Sequence, residues 1–113
     1  MTTEAAFQQQ VIDLAQFCGW LVHAERPARM ADGRWRTPIQ GMAGFPDLVL
    51  VRERVLFVEL KSERGRLTTE QEQWIAVLRE AGADVRVWRP GHWEWIEATL
   101  MRCDSPPQGG GSE

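Results

Sequence analysis

Two apolar runs, DLVLV at 47–51 and VLFVELK at 55–61, stand only three residues apart, and this spacing constrains the fold more than any other feature of the chain. Runs rich in Val, Leu and Phe with so short a link read as an antiparallel hairpin. Strand side chains alternate between faces, so Glu59 and Lys61 share one face. If Arg52–Glu53–Arg54 forms the loop, Asp47 stands opposite Glu59 on that same face. A two-residue loop would put them on opposite faces, and the triplet offers no Gly or Asn for a left-handed position. Either way, two carboxylates and an amine interrupt apolar strands, where burial is costly unless something compensates it.

A divalent cation would compensate it. Two carboxylates a few ångströms apart repel, and each shifts towards its neutral form. A hard ion such as Mg²⁺ takes carboxylate oxygens, keeps several waters and makes a water acidic enough to attack a phosphodiester. Lys61 would orient that water or help deprotonate it, and offset charge growing on the phosphate. It is the only lysine beside twelve arginines. An ammonium can give up its proton when desolvated, whereas a guanidinium effectively cannot. Taken alone, E-x-K also describes the solvated end of an edge strand. PD twelve residues upstream, with apolar strands between, makes the pattern more specific.

The rest of the chain supplies a setting. Helical spacing of Phe7, Val11, Leu14, Ala15 and Cys18 predicts a first helix capped near Thr2 or Thr3 and stopped at Gly19. WLVHA (20–24) reads as a short strand, and 25–43 as a long loop without regular structure. A second helix is expected from Thr69 to Ala81, a strand at 84–88 and a final helix at 92–100. The order α-β-β-β-α-β-α defines an α/β class with a mixed β-sheet flanked by helices. One domain is expected over 1–104, with a flexible tail at 105–113.

The net charge of −3 is not that of a typical nucleic-acid binder, but the charge is uneven. Arg26, Arg29, Arg34 and Arg36 fall in one stretch and could hold phosphates, with Trp35 stacking on a base. Arg64 and Arg66 follow Lys61 and extend the basic zone. A solvated charged loop is the plain alternative for each stretch. His23 could act as a base, contact DNA or be structural. Trp74, Trp88, Trp93 and Trp95 suit a core or a dimer interface. Cys18 and Cys103 match no metal-ligand spacing. No run is long enough to span a bilayer and the N-terminus lacks signal-peptide features, so a cytoplasmic protein with no membrane association is expected.

GFPDLVLV (44–51), FVELKSERGRLTTEQEQWIAVLREAG (57–82) and VRVWRP (85–90) together resemble the virus-type replication-repair nuclease (VRR-NUC) domain of the PD-(D/E)XK superfamily, in its stand-alone phage or bacterial form. The likeness runs from about Glu4 to Leu100. It implies a restriction-endonuclease-like core and a Mg²⁺- or Mn²⁺-dependent phosphodiesterase. It also implies a homodimer acting on branched DNA such as four-way junctions or flaps, in a bacterial or phage-infected cell. Asp47 and Glu59 would bind the ion, the Leu60 carbonyl would assist, and Lys61 would act on the water. Glu4 matches the acidic residue that such nucleases use at the metal, often through water, although the helix dipole favours a Glu there anyway. Gln71 matches a family glutamine, although Thr68-Thr69-Glu70-Gln71 is also a capping box. Gly44 and Pro46 would shape the turn that presents Asp47. The rival reading is a catalytically silent DNA-binding or assembly module with a vestigial site.

Overall fold

The computed structural model describes residues 3–25, 28–29, 33, 35–36 and 39–102. Helix α1 (Glu4–Phe17) begins at Thr3, whose hydroxyl accepts from the Ala6 N–H at 3.0 Å. It ends where Gly19 takes φ +91°, letting Trp20 N–H reach the Ala15 carbonyl and Gly19 N–H that of Gln16. That closure turns the chain directly into β1 (Leu21–Ala24).

Residues 25–43 are not wholly irregular, contrary to expectation: β2 (Ala28–Arg29) and β3 (Trp35–Arg36) pair antiparallel in a small ribbon. Strands of two residues leave no alternation to read in a sequence, which is why periodicity missed them.

The main sheet has the order β1-β4-β5-β6, where β4 is Leu48–Val51, β5 Val55–Leu60 and β6 Asp84–Trp88. The first two pairings are antiparallel and β5·β6 is parallel. Helix α2 (Thr69–Glu80) makes the crossover that a parallel pair requires. A 3₁₀ turn at Pro90–His92 leads into α3 (Trp93–Met101). A four-stranded mixed sheet flanked by helices, in the expected α-β-β-β-α-β-α order, is therefore the architecture.

One face of the sheet forms the main core. Leu48, Leu50, Leu56, Val58 and Leu60 pack there with Phe7, Val11 and Ala15 of α1 and Ile96 and Leu100 of α3. Each of these side chains larger than Ala15 contributes roughly 1.5–3 kcal/mol by leaving water. Trp88 joins this core, Trp93 packs against it, and Trp95 is exposed. On the other face Phe57 meets Phe45 edge-on, and Phe45 meets Trp74 of α2 at 5.1 Å.

Leu48 pairs with Val58 and Val51 with Val55, so residues 52–54 are the hairpin loop. No described residue other than glycine has positive φ, so the loop closes without a left-handed position. Its hold is tertiary. Arg52 lies 4.5 Å from the Trp20 ring centroid and donates to the carbonyls of Cys18, Leu100 and Arg102. Arg54 donates to the Thr99 carbonyl. Both guanidiniums thus meet orphan carbonyls where α1 and α3 end, which the helix dipole also favours.

Among the described residues no helix is long and apolar enough to cross a membrane. The expected tail at 105–113 lies outside the described residues, as does Cys103; Cys18 is a free thiol.

Candidate active site

The register settles the question raised by the hairpin. Continuing β4·β5 by one pair beyond Leu48↔Val58 puts Asp47 opposite Glu59, on the face away from the main core. Asp47 Oδ2 accepts the Leu60 N–H at 2.8 Å, a bond the ladder would otherwise give to a backbone carbonyl. Glu59 is 1% exposed, and its Oε1 has no hydrogen-bond partner.

Such a group carries a large penalty when charged. Burial, and then the charge of Asp47, push the Glu59 carboxyl up to about 8. Burial also raises Asp47, opposed by the Leu60 N–H. Lys61 eases both carboxyls electrostatically and the charge of Glu4 aggravates both. Among the described residues Lys61 makes no ion pair within 4 Å, so the pair is not neutralised by a direct salt bridge.

A third oxygen lies beside them. The N–H and C=O of a strand residue point to the same side, so the Leu60 carbonyl faces β4 together with its N–H. The residue across from it in this register is Pro46, which has no N–H to offer. An orphaned buried carboxylate oxygen, a second carboxylate and a backbone carbonyl without a ladder donor fit a hard divalent cation. Glu4 does not complete a close triad: among the described residues no three His, Cys, Asp or Glu side chains cluster as a metal site. Its Oε2 instead accepts the Ser62 N–H at 3.3 Å.

The supporting residues are held firmly. Thr68 Oγ1 accepts the Gln71 N–H and Gln71 Oε1 accepts the Thr68 N–H, so Gln71 forms the capping box of α2. It nonetheless lines the cleft that opens at Asp47. Gly44 has φ +101°, and a Cβ there would lie 2.7 Å from the Glu70 carbonyl carbon, so only glycine lets the chain reach Asp47 this close to α2. Trp74 Nε1 donates to the carbonyls of Met42 and Ala43, both at 3.1 Å, fixing the same approach. On the far side Arg89 donates to the carbonyls of Ser62 (2.6 Å) and Gly65 (2.7 Å). That staple holds the loop following Lys61, and nothing in the local sequence indicated it.

The expected nucleic-acid contacts are less completely placed. Arg26 and Arg34 lie outside the described residues. Arg29, Trp35 and Arg36 are placed by backbone in the ribbon only. Arg64 and Arg66 are exposed on the loop after Lys61. His23, on β1, is exposed and is not among the residues brought to the carboxylate pair.

A mixed sheet that presents PD and E-x-K carboxylates side by side at its open end defines a nuclease-type α/β domain. The model of the VRR-NUC domain family matches residues 8–90, and the chain belongs to that family. A solved structure described as a VRR_NUC domain superposes with a TM-score of 0.62 at 23% identity, covering 92% of this chain and 100% of that one. That likeness supports the fold. No match is found among curated proteins.

Proposed function

We propose that this chain is a divalent-metal-dependent DNA endonuclease selective for branched DNA, such as four-way junctions or flaps. The observation that carries the reading is the opposition of Asp47 and Glu59 with Glu59 Oε1 buried and unpartnered. Mg²⁺ or Mn²⁺ held by Asp47, Glu59 and the Leu60 carbonyl would polarise the scissile phosphate and acidify water. Glu4 would reach the site through water. Lys61, half-buried and without a salt-bridge partner among the described residues, orients the attacking water and offsets charge building on the phosphate oxygens. Arg64 and Arg66 supply phosphate contacts beside it, with Arg26, Arg29, Arg34, Trp35 and Arg36 as further candidates. Gln71 acts by positioning: its capping box fixes the helix start against which Gly44 packs. A homodimer would bring two such sites to the two strands of a junction, and a phage or bacterial repair setting is what the family resemblance suggests.

The test is cleavage of end-labelled four-way junction, flap, linear duplex and single-stranded DNA, by wild type and Lys61→Ala, in Mn²⁺ and in EDTA. Cutting of branched DNA is expected only with metal and intact Lys61, with a loss on the order of 10²–10⁴-fold in the variant. Equal activity in the variant would overturn the assignment of Lys61. No cutting, together with no thermal stabilisation by Mn²⁺, would identify a silent module.

A further inference from the structure

Lys61 stands one residue past the end of β5, so the sheet fixes its backbone but not its long side chain. Its N–H still reaches the Trp88 carbonyl at 3.0 Å, adding one bond to the parallel β5·β6 ladder. The chain then turns at 62–65, where the Gly65 N–H reaches the Ser62 carbonyl at 3.3 Å. Holding a lysine in one rotamer costs more conformational entropy than holding most side chains. A lysine that must meet one water in one place therefore needs a support beyond the strand. The turn lies beside it: a Cβ on Gly65 would stand 3.5 Å from Lys61 Cδ, at van der Waals contact.

The shape of the turn depends on a residue distant in the chain. The carbonyls of Ser62, Glu63 and Gly65 converge on a single atom, Nη1 of Arg89, at 2.6, 3.4 and 2.7 Å. Carbonyl oxygens gathered at one point repel unless a donor stands among them, and the guanidinium is a charged one. Nη1 carries two hydrogens, and the short bonds to Ser62 and Gly65 use both. That nitrogen thus faces into the turn rather than out to a phosphate. The β5·β6 register pairs Leu60 with Trp88, and one step further brings Arg89 alongside Lys61. The Arg89 N–H is itself anchored on His92 Nδ1 at 3.1 Å. Gly91 adds a second tie by donating its N–H to Glu63 Oε1 at 2.9 Å.

We infer that Arg89 is a positioning residue for Lys61: its guanidinium fixes the 62–65 turn, and the turn fixes the lysine stem. The assignment rests on the nuclease reading for the reaction that Lys61 serves.

The test reads Lys61 directly as well as through cutting. Because Lys61 is the only lysine, protein grown with ¹³C-lysine gives one Cε signal. A held stem gives its two Hε protons distinct shifts, and a freely rotating one averages them. Wild type is expected to show two shifts and Arg89→Ala one. Single-turnover cutting of flap DNA in Mn²⁺, with enzyme saturating, should fall on the order of 10²-fold in Arg89→Ala. In a Lys61→Ala background the same substitution should change the rate by no more than about 2-fold, since the group through which it acts is gone. Rates are taken well below each melting temperature. Arg89→Gln, which leaves a polar side chain at this half-buried position, takes the place of Arg89→Ala if the alanine variant does not fold. A wild-type rate in the Arg89 variant, unchanged Hε shifts, or a loss repeated in full beside Lys61→Ala would each overturn the positioning role, while cutting by wild type left the nuclease reading standing. Collapse of the two shifts with no cutting by wild type would keep the hold on Lys61 and remove the nuclease reading.

Discussion

The two ends of the β4–β5 hairpin are built from the same residue types and used in opposite ways. At the closed end Arg52, Glu53 and Arg54 form an alternating set: Arg52 holds the Glu53 carboxyl down to about 2, and both arginines reach helix-end carbonyls. At the open end, burial and the facing Asp47 push the Glu59 carboxyl up to about 8. The first arrangement is electrostatically complete within the chain. In the second, two carboxyls face each other and, among the described residues, neither forms an ion pair with a basic side chain. Charge in a strand is therefore no guide by itself to function; what distinguishes the ends is whether each charge finds its counterpart in the fold.

The largest consequence is a pH profile of opposite sign at the two ends. A carboxyl raised in the folded state contributes stability that is fully present below its unfolded value and is lost as pH rises through the folded one. For Glu59 that window runs from 4.5 to about 8. In EDTA the protein should lose stability across it by an amount on the order of 3–5 kcal/mol, a fall in melting temperature of about 10 °C or more. Mn²⁺ should restore most of that loss at pH 8, and Glu59→Gln should flatten the slope and abolish the metal response. Melting curves from pH 5 to 9 decide it. A flat metal-free profile for wild type would mean that the open end is already neutralised, and the comparison would fail.

A smaller effect is expected from the approach to Asp47. In Gly44→Ala the new methyl meets the backbone of Glu70 and Gln71 at 2.7–2.9 Å while φ stays at +101°. Strain and steric displacement together should cost about 2–4 kcal/mol. Because Asp47 lies three residues on, cutting should fall further than stability predicts, on the order of 10²-fold, since small misplacements at a reacting centre are amplified. The check is the cutting rate at a temperature where the variant is fully folded. An unchanged rate there would show that the turn carries stability alone.

How much of this was legible in the sequence follows the same division. The open end was readable because hairpin arithmetic is local: the spacing from Asp47 to Glu59 and alternation fix a shared face once the loop is known. The loop itself was not secure from sequence. Its triplet lacks a left-handed residue, and what closes it comes from Trp20, Cys18, Thr99 and Leu100, distant in the chain. Glu4 and Gln71 each had a helix-start explanation and a site explanation. The structure gives Gln71 its capping role and a place on the cleft, and brings Glu4 to Ser62. The cleft and the Arg89 staple were not legible at all, since both depend on which carbonyls a distant Trp or Arg reaches.

The smallest expected effect is at the closed end, and it tests the comparison most directly. Glu53→Gln removes the carboxylate between Arg52 and Arg54 but none of the bonds from those arginines to the helix ends. The Glu53 carboxyl is lowered, so its contribution is present above its unfolded value near 4.5 and is lost as pH falls through about 2. Solvent screens the pair, so at pH 7 the melting temperature should drop only slightly, and the difference should vanish at ~1 M salt. Cutting, metal response and the alkaline slope should all match wild type. If Glu53→Gln instead lowered metal affinity, the closed end would be setting the register of the open one. The two ends would then be a single electrostatic unit rather than a tether and a site.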